Sequence, residues 1–316
     1  MPNLLPIRLA AGSGPTFGVD DLACAAATHL GFWRDEGLDV FWTPVHGGVR
    51  AVQSVLDGET DVSYGGLGPA LKFRAEGAPV RIVVSMALAL AQNLVVQQEI
   101  TDTTQLRGVS WALDGFGALS HHMARLTLRA LGISEDEINW EAVGPPPERI
   151  ERLLAGTIDV SLIRVEEAWS LNNDAGNTLH TLLGFAELKE MVPLQPHGVL
   201  ATTEEYERTH GEELHRLTRG MIRASRALHD DLDAFEKTFR HQVTIPVPDN
   251  AVREIWEREQ STGSFAVDGG LDDAHWEAQM ASFIELNPKL PEMNLPDVLA
   301  GEYVAKTLDA LGAHDG

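Results

Sequence analysis

Apolar residues recur at helical spacing along Val49, Val52, Val55 and Leu56, and the run stops at Gly58, after which Asp61-Val62-Ser63 opens a strand. The same figure returns at Ile150, Leu153 and Leu154, followed by Gly156 and Asp159-Val160-Ser161. Written out, Leu56-Asp-Gly-Glu-Thr-Asp-Val-Ser63 matches Leu154-Ala-Gly-Thr-Ile-Asp-Val-Ser161 at Leu, Gly, Asp, Val and Ser. Glycine ends a helix at little cost because it accepts the left-handed conformation. A helix feeding a strand through such a turn is the second half of a βαβ crossover, which predicts a parallel sheet with helices on its faces. Finding it twice predicts one α/β unit used twice, in two lobes.

Extending the pattern outward fills in both units. Strands are predicted over Ile7 to Ala11, Asp39 to Val45 and Val80 to Met86, with a helix from about Asp21 to Glu36 capped by Asp20 or Asp21. Asn93 to Gln98 reads as a strand crossing toward the second lobe. From Thr101 the pattern restarts with a capped turn, a strand over Val109 to Leu113, a helix from Leu119 to Leu131, and strands over Ile138 to Val143 and near Thr178 to Leu183. The Pro-containing stretch that begins at Met191 carries the chain back, and Glu204 to Gly316 is mostly helical. These readings assign residues 1–98 plus 199–316 to lobe I and residues 99–198 to lobe II. Two crossings make a hinge.

Composition narrows the partners. The 316 residues, 44% of them hydrophobic, suffice for two domains with their own cores. With 47 acidic and 24 basic residues the formal charge is −23, which repels a phosphate backbone or an anionic membrane, so nucleic acid is not an expected partner. No apolar run reaches the roughly 18 residues of a membrane helix, and no membrane insertion is expected. The single cysteine, Cys24, excludes an internal disulfide and any multi-cysteine metal site. The N-terminus, MPNLLPIRLAAGSG, shows no basic n-region or h-region, so the chain as written reads as cytoplasmic. Removal of an export signal would make it periplasmic or otherwise extracytoplasmic.

The order of these pieces resembles a known family. Gly31-Phe-Trp-Arg-Asp-Glu-Gly-Leu-Asp-Val40, the Gly47-Gly48 helix start, the Leu56 to Asp61 turn and the small-residue loop Gly65 to Ala70 are similar to the first lobe of the type 2 periplasmic-binding-protein fold. The branch is that of sulfonate, nitrate and thiamine-pyrimidine binding proteins. Gln105-Leu-Arg-Gly108, Gly115-Phe-Gly-Ala118 and Gly156-Thr-Ile-Asp159 resemble its second lobe. The resemblance implies a two-lobed α/β architecture in which each lobe is a mainly parallel sheet flanked by helices, with two hinge crossings and a helical C-terminal region. It also implies a solute-binding protein of an ABC-type importer. Two departures stand out: Ala23-Cys24 replaces a Pro-aromatic pair at the first helix, and the cysteine-rich iron motif of the fungal pyrimidine synthases is absent.

Ligands of such folds sit at the carboxyl ends of strands, where helix N-termini offer free N–H groups. Four starts qualify: Phe17 to Asp21, His46 to Arg50 with Gly47 and Gly48, Gly65-Gly66-Leu67-Gly68 after Tyr64, and Gly115 to His121 with Phe116, Gly117, Ala118 and Ser120. Met86 closes the strand beside them. Arg164, at the end of an apolar strand, either clamps an acid or pairs with Glu166 and Glu167, and Arg50 is the weaker second clamp. Phe17, Tyr64 and Phe116 can stack on a ring. The expected ligand is therefore a small anionic, aromatic or heterocyclic molecule, passed to an ABC permease. The rival expectation is a cytoplasmic enzyme on the same scaffold, either a cofactor-independent lyase such as a decarboxylase, desulfinase or dehydratase or a pyrimidine-precursor enzyme, with Cys24, His46 and His121 as its candidate catalytic groups. No metal or cofactor is expected, because no histidine or carboxylate set has ligand spacing.

Overall fold

The computed structural model describes residues 4–12, 18–89, 91–172, 178–192, 196, 198–291 and 293–314. Among the described residues, ten strands form two five-stranded sheets. The first holds β1 (Leu5–Ala11), β2 (Leu38–Pro44), β3 (Val62–Gly66), β4 (Val80–Ala87) and β10 (Gly198–Thr203), in the order β2-β1-β3-β10-β4. The second holds β5 (Gln92–Gln97), β6 (Ser110–Leu113), β7 (Asn139–Ala142), β8 (Val160–Arg164) and β9 (Leu179–Leu183), in the order β7-β6-β8-β5-β9. The two orders superimpose when β1–β4 are laid over β6–β9. The fifth strand of each unit then lies in the sheet of the other: β5 runs antiparallel between β8 and β9, and β10 antiparallel between β3 and β4. The strand expected at the end of the first lobe therefore hydrogen-bonds in the second, which moves the first crossing back to the residues between β4 and β5.

The repeated motif explains why each unit closes. In both copies a helix, Gly47–Leu56 or Pro146–Leu154, ends at a left-handed glycine, Gly58 (φ 72°) or Gly156 (φ 66°). Glu59 N–H then bonds Ser54 C=O, and Thr157 N–H bonds Arg152 C=O, which satisfies the last-turn carbonyls. The motif's aspartate does the same work twice. Asp61 accepts from the Arg8 N–H at 2.7 Å while its own N–H donates to Arg8 C=O, and Asp159 accepts from the Ser110 N–H at 2.7 Å while its N–H donates to Ser110 C=O. Each aspartate thus ties the third strand of its unit to the first.

Each sheet has its own core cluster, although the first also takes in Val165 and Phe185 from the segment that forms the second lobe. Ile7, Leu9, Trp33, Tyr64, Val84 and Leu200 lie in the first, and Leu94, Trp111, Leu113, Leu126 and Leu162 in the second. Helix Leu22–His29 is almost all small residues, so it fits closely between the first sheet and helix Gly211–Asp230, and Trp33 Nε1 donates to Leu217 C=O at 3.0 Å. The helix expected to run on to Glu36 breaks at Gly31, whose φ of 85° starts a separate turn, Phe32–Asp35. The expected side-chain cap also differs. Asp21 occupies the N-cap position, but its carboxylate accepts from Gly18 N–H at 2.9 Å and faces Arg164. The capped turn near Thr101 forms as expected, with Asp102 accepting from Thr104 N–H.

Helix Asp273–Leu286 joins the lobes on the outside: Phe283 packs in the core of the first lobe, Leu286 against that of the second, and Glu285 pairs with Arg129 at 2.5 Å. No helix among the described residues is long and apolar enough to cross a membrane.

Replacing Asp159 with alanine removes an ionised acceptor from the Ser110 amide and hydroxyl, and hydrogen bonds to charged groups contribute about 1.5–3 kcal/mol each. Asp159→Ala is expected to lower unfolding free energy by about that much. Urea denaturation checks it.

Candidate functional site

Where the carboxyl ends of both sets of strands face each other, the lobes enclose a cleft of about 600 Å³. From the first lobe come Gly12, Asp21, His46 to Val49, Tyr64 to Gly66 and Pro69; from the second, Gln92, Asp114 to Phe116, Ala118 to Ser120, Gly144 to Arg149 and Arg164. The first-lobe floor is glycine by necessity. A Cβ on Gly12 would lie 2.9 Å from Tyr64 O and 3.1 Å from Gly48 Cα, and one on Gly48 would lie 3.1 Å from Pro69. With side chains gone, the backbone itself borders the space, open to main-chain donors.

Helix starts supply those donors. Gly48 and Val49 stand in the first turn of helix Gly47–Leu56, and Leu119 and Ser120 in that of Leu119–Ala130, where no preceding turn offers a carbonyl. Helix Pro146–Leu154 differs. Pro145, Pro146 and Pro147 carry no N–H, and the amides of Glu148 and Arg149 both bond Pro145 C=O. That start presents an apolar proline wall and, behind it, the side chain of Arg149.

Arg149 is 4% exposed. Its Nη1 donates to Leu162 C=O at 2.6 Å and Ser161 Oγ at 3.0 Å, while its Nε has no partner among the described residues. Burial lowers its pKa to about 10, with Asp114 and Glu167 acting in the opposite direction, so it stays a cation at neutral pH. Sequence reasoning missed this residue. Its signal was a charge in the buried stripe that contains Pro146 and Leu153, four positions apart from the leucine on one face.

Arg164 reaches across the cleft. Its Nη2 lies 3.7 Å from Asp21 Oδ2, and Gly18 of the first lobe packs so tightly on the arginine that a Cβ there would sit 2.4 Å from Arg164 Cδ. Burial raises the pKa of Glu167, against the pull of Arg164 and Arg149. The carboxylate of Asp114 also crosses, coming within 4.0 Å of the position a Cβ on Gly47 would take. Its amide is held by Ser120 Oγ at 2.9 Å. Asp114 and Glu148 belong to the lining although the sequence reading named neither.

The expected site residues divide on this geometry. Asp21, Gly47, Gly48, Tyr64, Gly65, Gly66, Gly115, Phe116, Ala118, Ser120 and Arg164 share the cleft, as does His46. Leu67 and Met86 are instead buried in the cores of the first lobe. Gly117 turns away to donate to His121 Nδ1 at 3.1 Å, and His121 lies against Phe116 and Trp140 behind the wall. Arg50 pairs on the surface with Asp57 and Glu59. Glu167 is buried behind Arg164, and Phe17 lies outside the described residues. Cys24 is fully buried, its S–H pointing to Met86 Sδ at 3.3 Å, and burial pushes its thiol pKa well up. Cys24, His46 and His121 are thus held in three different environments.

Residues 22–233 match the family described as NMT1/THI5 like. The chain belongs to that family. No curated protein matches it. Solved structures match over nearly the full length: one from Bordetella bronchiseptica RB50 is 18% identical with a TM-score of 0.79, covering 98% of this chain and 99% of that one. The alkanesulfonate-binding protein from Xanthomonas axonopodis pv. citri bound to MOPS is 17% identical, with a TM-score of 0.71 over 95% and 100% of the two chains. The periplasmic nitrate-binding protein from Synechocystis PCC 6803 is 13% identical, with a TM-score of 0.73 over 98% and 90%. These likenesses establish the two-lobed periplasmic-binding fold expected from the sequence.

His122, one turn into the cleft helix Leu119–Ala130, is buried with its Nε2 unpartnered among the described residues, and burial lowers its pKa to about 4. A folded pKa below the unfolded value of about 6.5 means the neutral ring's stability is full above pH 6.5 and is lost as pH falls toward 4. His122→Leu is expected to remove up to about 3 kcal/mol of the stability loss between those pH values. Urea midpoints of both proteins across that range check it.

Proposed function

We propose that the protein captures a small polar molecule between its lobes and presents it, closed, to an ABC-type importer. The observation that carries this reading is the make-up of the cleft wall. Two arginines, Arg149 and Arg164, and three carboxylates, those of Asp21, Asp114 and Glu148, face about 600 Å³ together with Val49, Phe116, Leu119 and the three prolines. That volume suits a single small ligand. Both signs of charge within one apolar frame fit a planar nitrogen heterocycle or an aromatic acid. Ring N–H groups would donate to Asp21 or Asp114, an acidic group or ring acceptor would meet Arg149, Arg164 and the free helix-start amides, and the flat face would lie on Phe116 and the prolines. The strong negative charge of the whole chain does not oppose this, because the arginines act locally.

The resemblance of the chain's motifs to thiamine-pyrimidine binding proteins supports a pyrimidine-like ligand, and the fold shared with an alkanesulfonate-binding and a nitrate-binding protein supports capture of a small solute. Closure would draw Asp114 of the second lobe toward Gly47, and Arg164 further onto Asp21 and Gly18, which it already meets.

The test is a calorimetric panel of pyrimidines, aromatic carboxylates and organic sulfonates. At least one class is expected to bind one-to-one. Arg149→Met and Arg164→Ala should each weaken it by about 2–4 kcal/mol, the cost of truncating a desolvated charge contact, whereas Arg50→Ala should leave it unchanged. Failure of every class to bind, or affinity indifferent to both cleft substitutions in proteins with native circular dichroism, would overturn the reading.

A further inference from the structure

We propose that His229, Asp230 and His314 form a binding site for a divalent transition metal of the zinc type, which clips the segment after the last helix onto the end of helix Gly211–Asp230. One ligand atom from each residue lies within 4.8 Å of the other two. The Asp230 carboxylate stands between the rings, 2.8 Å from His229 Nδ1 and 2.9 and 3.1 Å from His314 Nε2. None of the three lines the cleft, so the site is independent of the solute-binding proposal.

The donor set selects the metal. Two imidazole nitrogens and one carboxylate oxygen suit zinc or its neighbours, whereas calcium and magnesium take oxygen shells. Bonds of about 2.0–2.1 Å at tetrahedral angles place ligand atoms about 3.3 Å apart, so the oxygen-to-nitrogen spacings here need to widen only by a few tenths of an ångström. The side chains of His229 and His314 are 16% and 13% exposed, but that of Asp230 is 53% exposed, which leaves an open side for water as a fourth ligand. On binding, the ring nitrogens that now face Asp230 give up their protons, to solvent or to the other ring nitrogen, and take the metal instead.

An outer set of contacts holds the ligands in place without metal. His314 N–H donates to Asp268 at 3.1 Å, and Arg226 bonds both Asp268 and Gly312 C=O at 2.6 Å. Gln260 Nε2 donates to His229 C=O at 2.9 Å, and the His229 ring stands edge-on to Phe265 and to His314. These contacts hold the backbone of both histidines in place before any metal binds.

The experiment uses the full chain stripped of metal, titrated with Zn²⁺ by calorimetry and with Co²⁺ by visible absorption. One-to-one binding is expected, with the intense d–d bands of four-coordinate Co²⁺ and a higher melting temperature when Zn²⁺ is added. His314→Ala and His229→Gln should each weaken binding about tenfold or more and abolish the melting shift. Should either variant fold poorly, Asp230→Asn at the exposed position gives the same readout. Absence of saturable binding, or binding that all these variants retain, would overturn the proposal.

Discussion

Each sheet is completed by a strand from the other unit, and this exchange is the constraint on which the rest of the molecule depends. Without β10, β3 and β4 would face each other across a gap with their inner N–H and C=O groups unpaired, and without β5 the same would hold for β8 and β9. Unpaired backbone inside a core costs about as much per group as a lost hydrogen bond, so neither lobe is a finished sheet alone. The crossings that deliver the two strands also hold the lobes face to face, and the carboxyl ends of the remaining strands meet between them. The cleft is a consequence of the strand exchange.

What the cleft can recognise follows from two local departures from symmetry. In the first lobe the repeated helix starts with Gly47-Gly48 and offers amides; in the second it starts with three prolines and offers Arg149 instead. One wall is therefore a bed of main-chain donors close to Asp114, and the other an apolar shelf with a buried cation. Two units of the same topology therefore present different chemistries to whatever lies between them.

Much of this was legible in the sequence because it is local. The helix–glycine–aspartate–strand motif announced both units, and the aspartates turned out to bind the equivalent amides of Arg8 and Ser110. What was not legible depends on partners far along the chain. An apolar run such as Gln92–Gln97 has the same period in either sheet, so its periodicity could not say which lobe it completes. Arg149 was passed over because the prolines before it read only as a helix start. Arg164 left two readings open, a clamp on an acid or a pair with Glu166 and Glu167; it lines the cleft and faces Asp21, a carboxylate from the other lobe that no local spacing pairs with it. His229, Asp230 and His314 meet only because helix Glu302–Leu311 returns the chain to the end of helix Gly211–Asp230. No spacing rule contains that.

The most direct measurement is hydrogen exchange read by mass spectrometry across a urea series, on peptides covering Gln92–Gln97 and Gly198–Thr203. If each strand completes the other unit's sheet, the two segments lose protection at the same urea concentration, together with β3 and β8. Early opening of one exchanged strand, while the sheet it enters stays protected, would contradict the account.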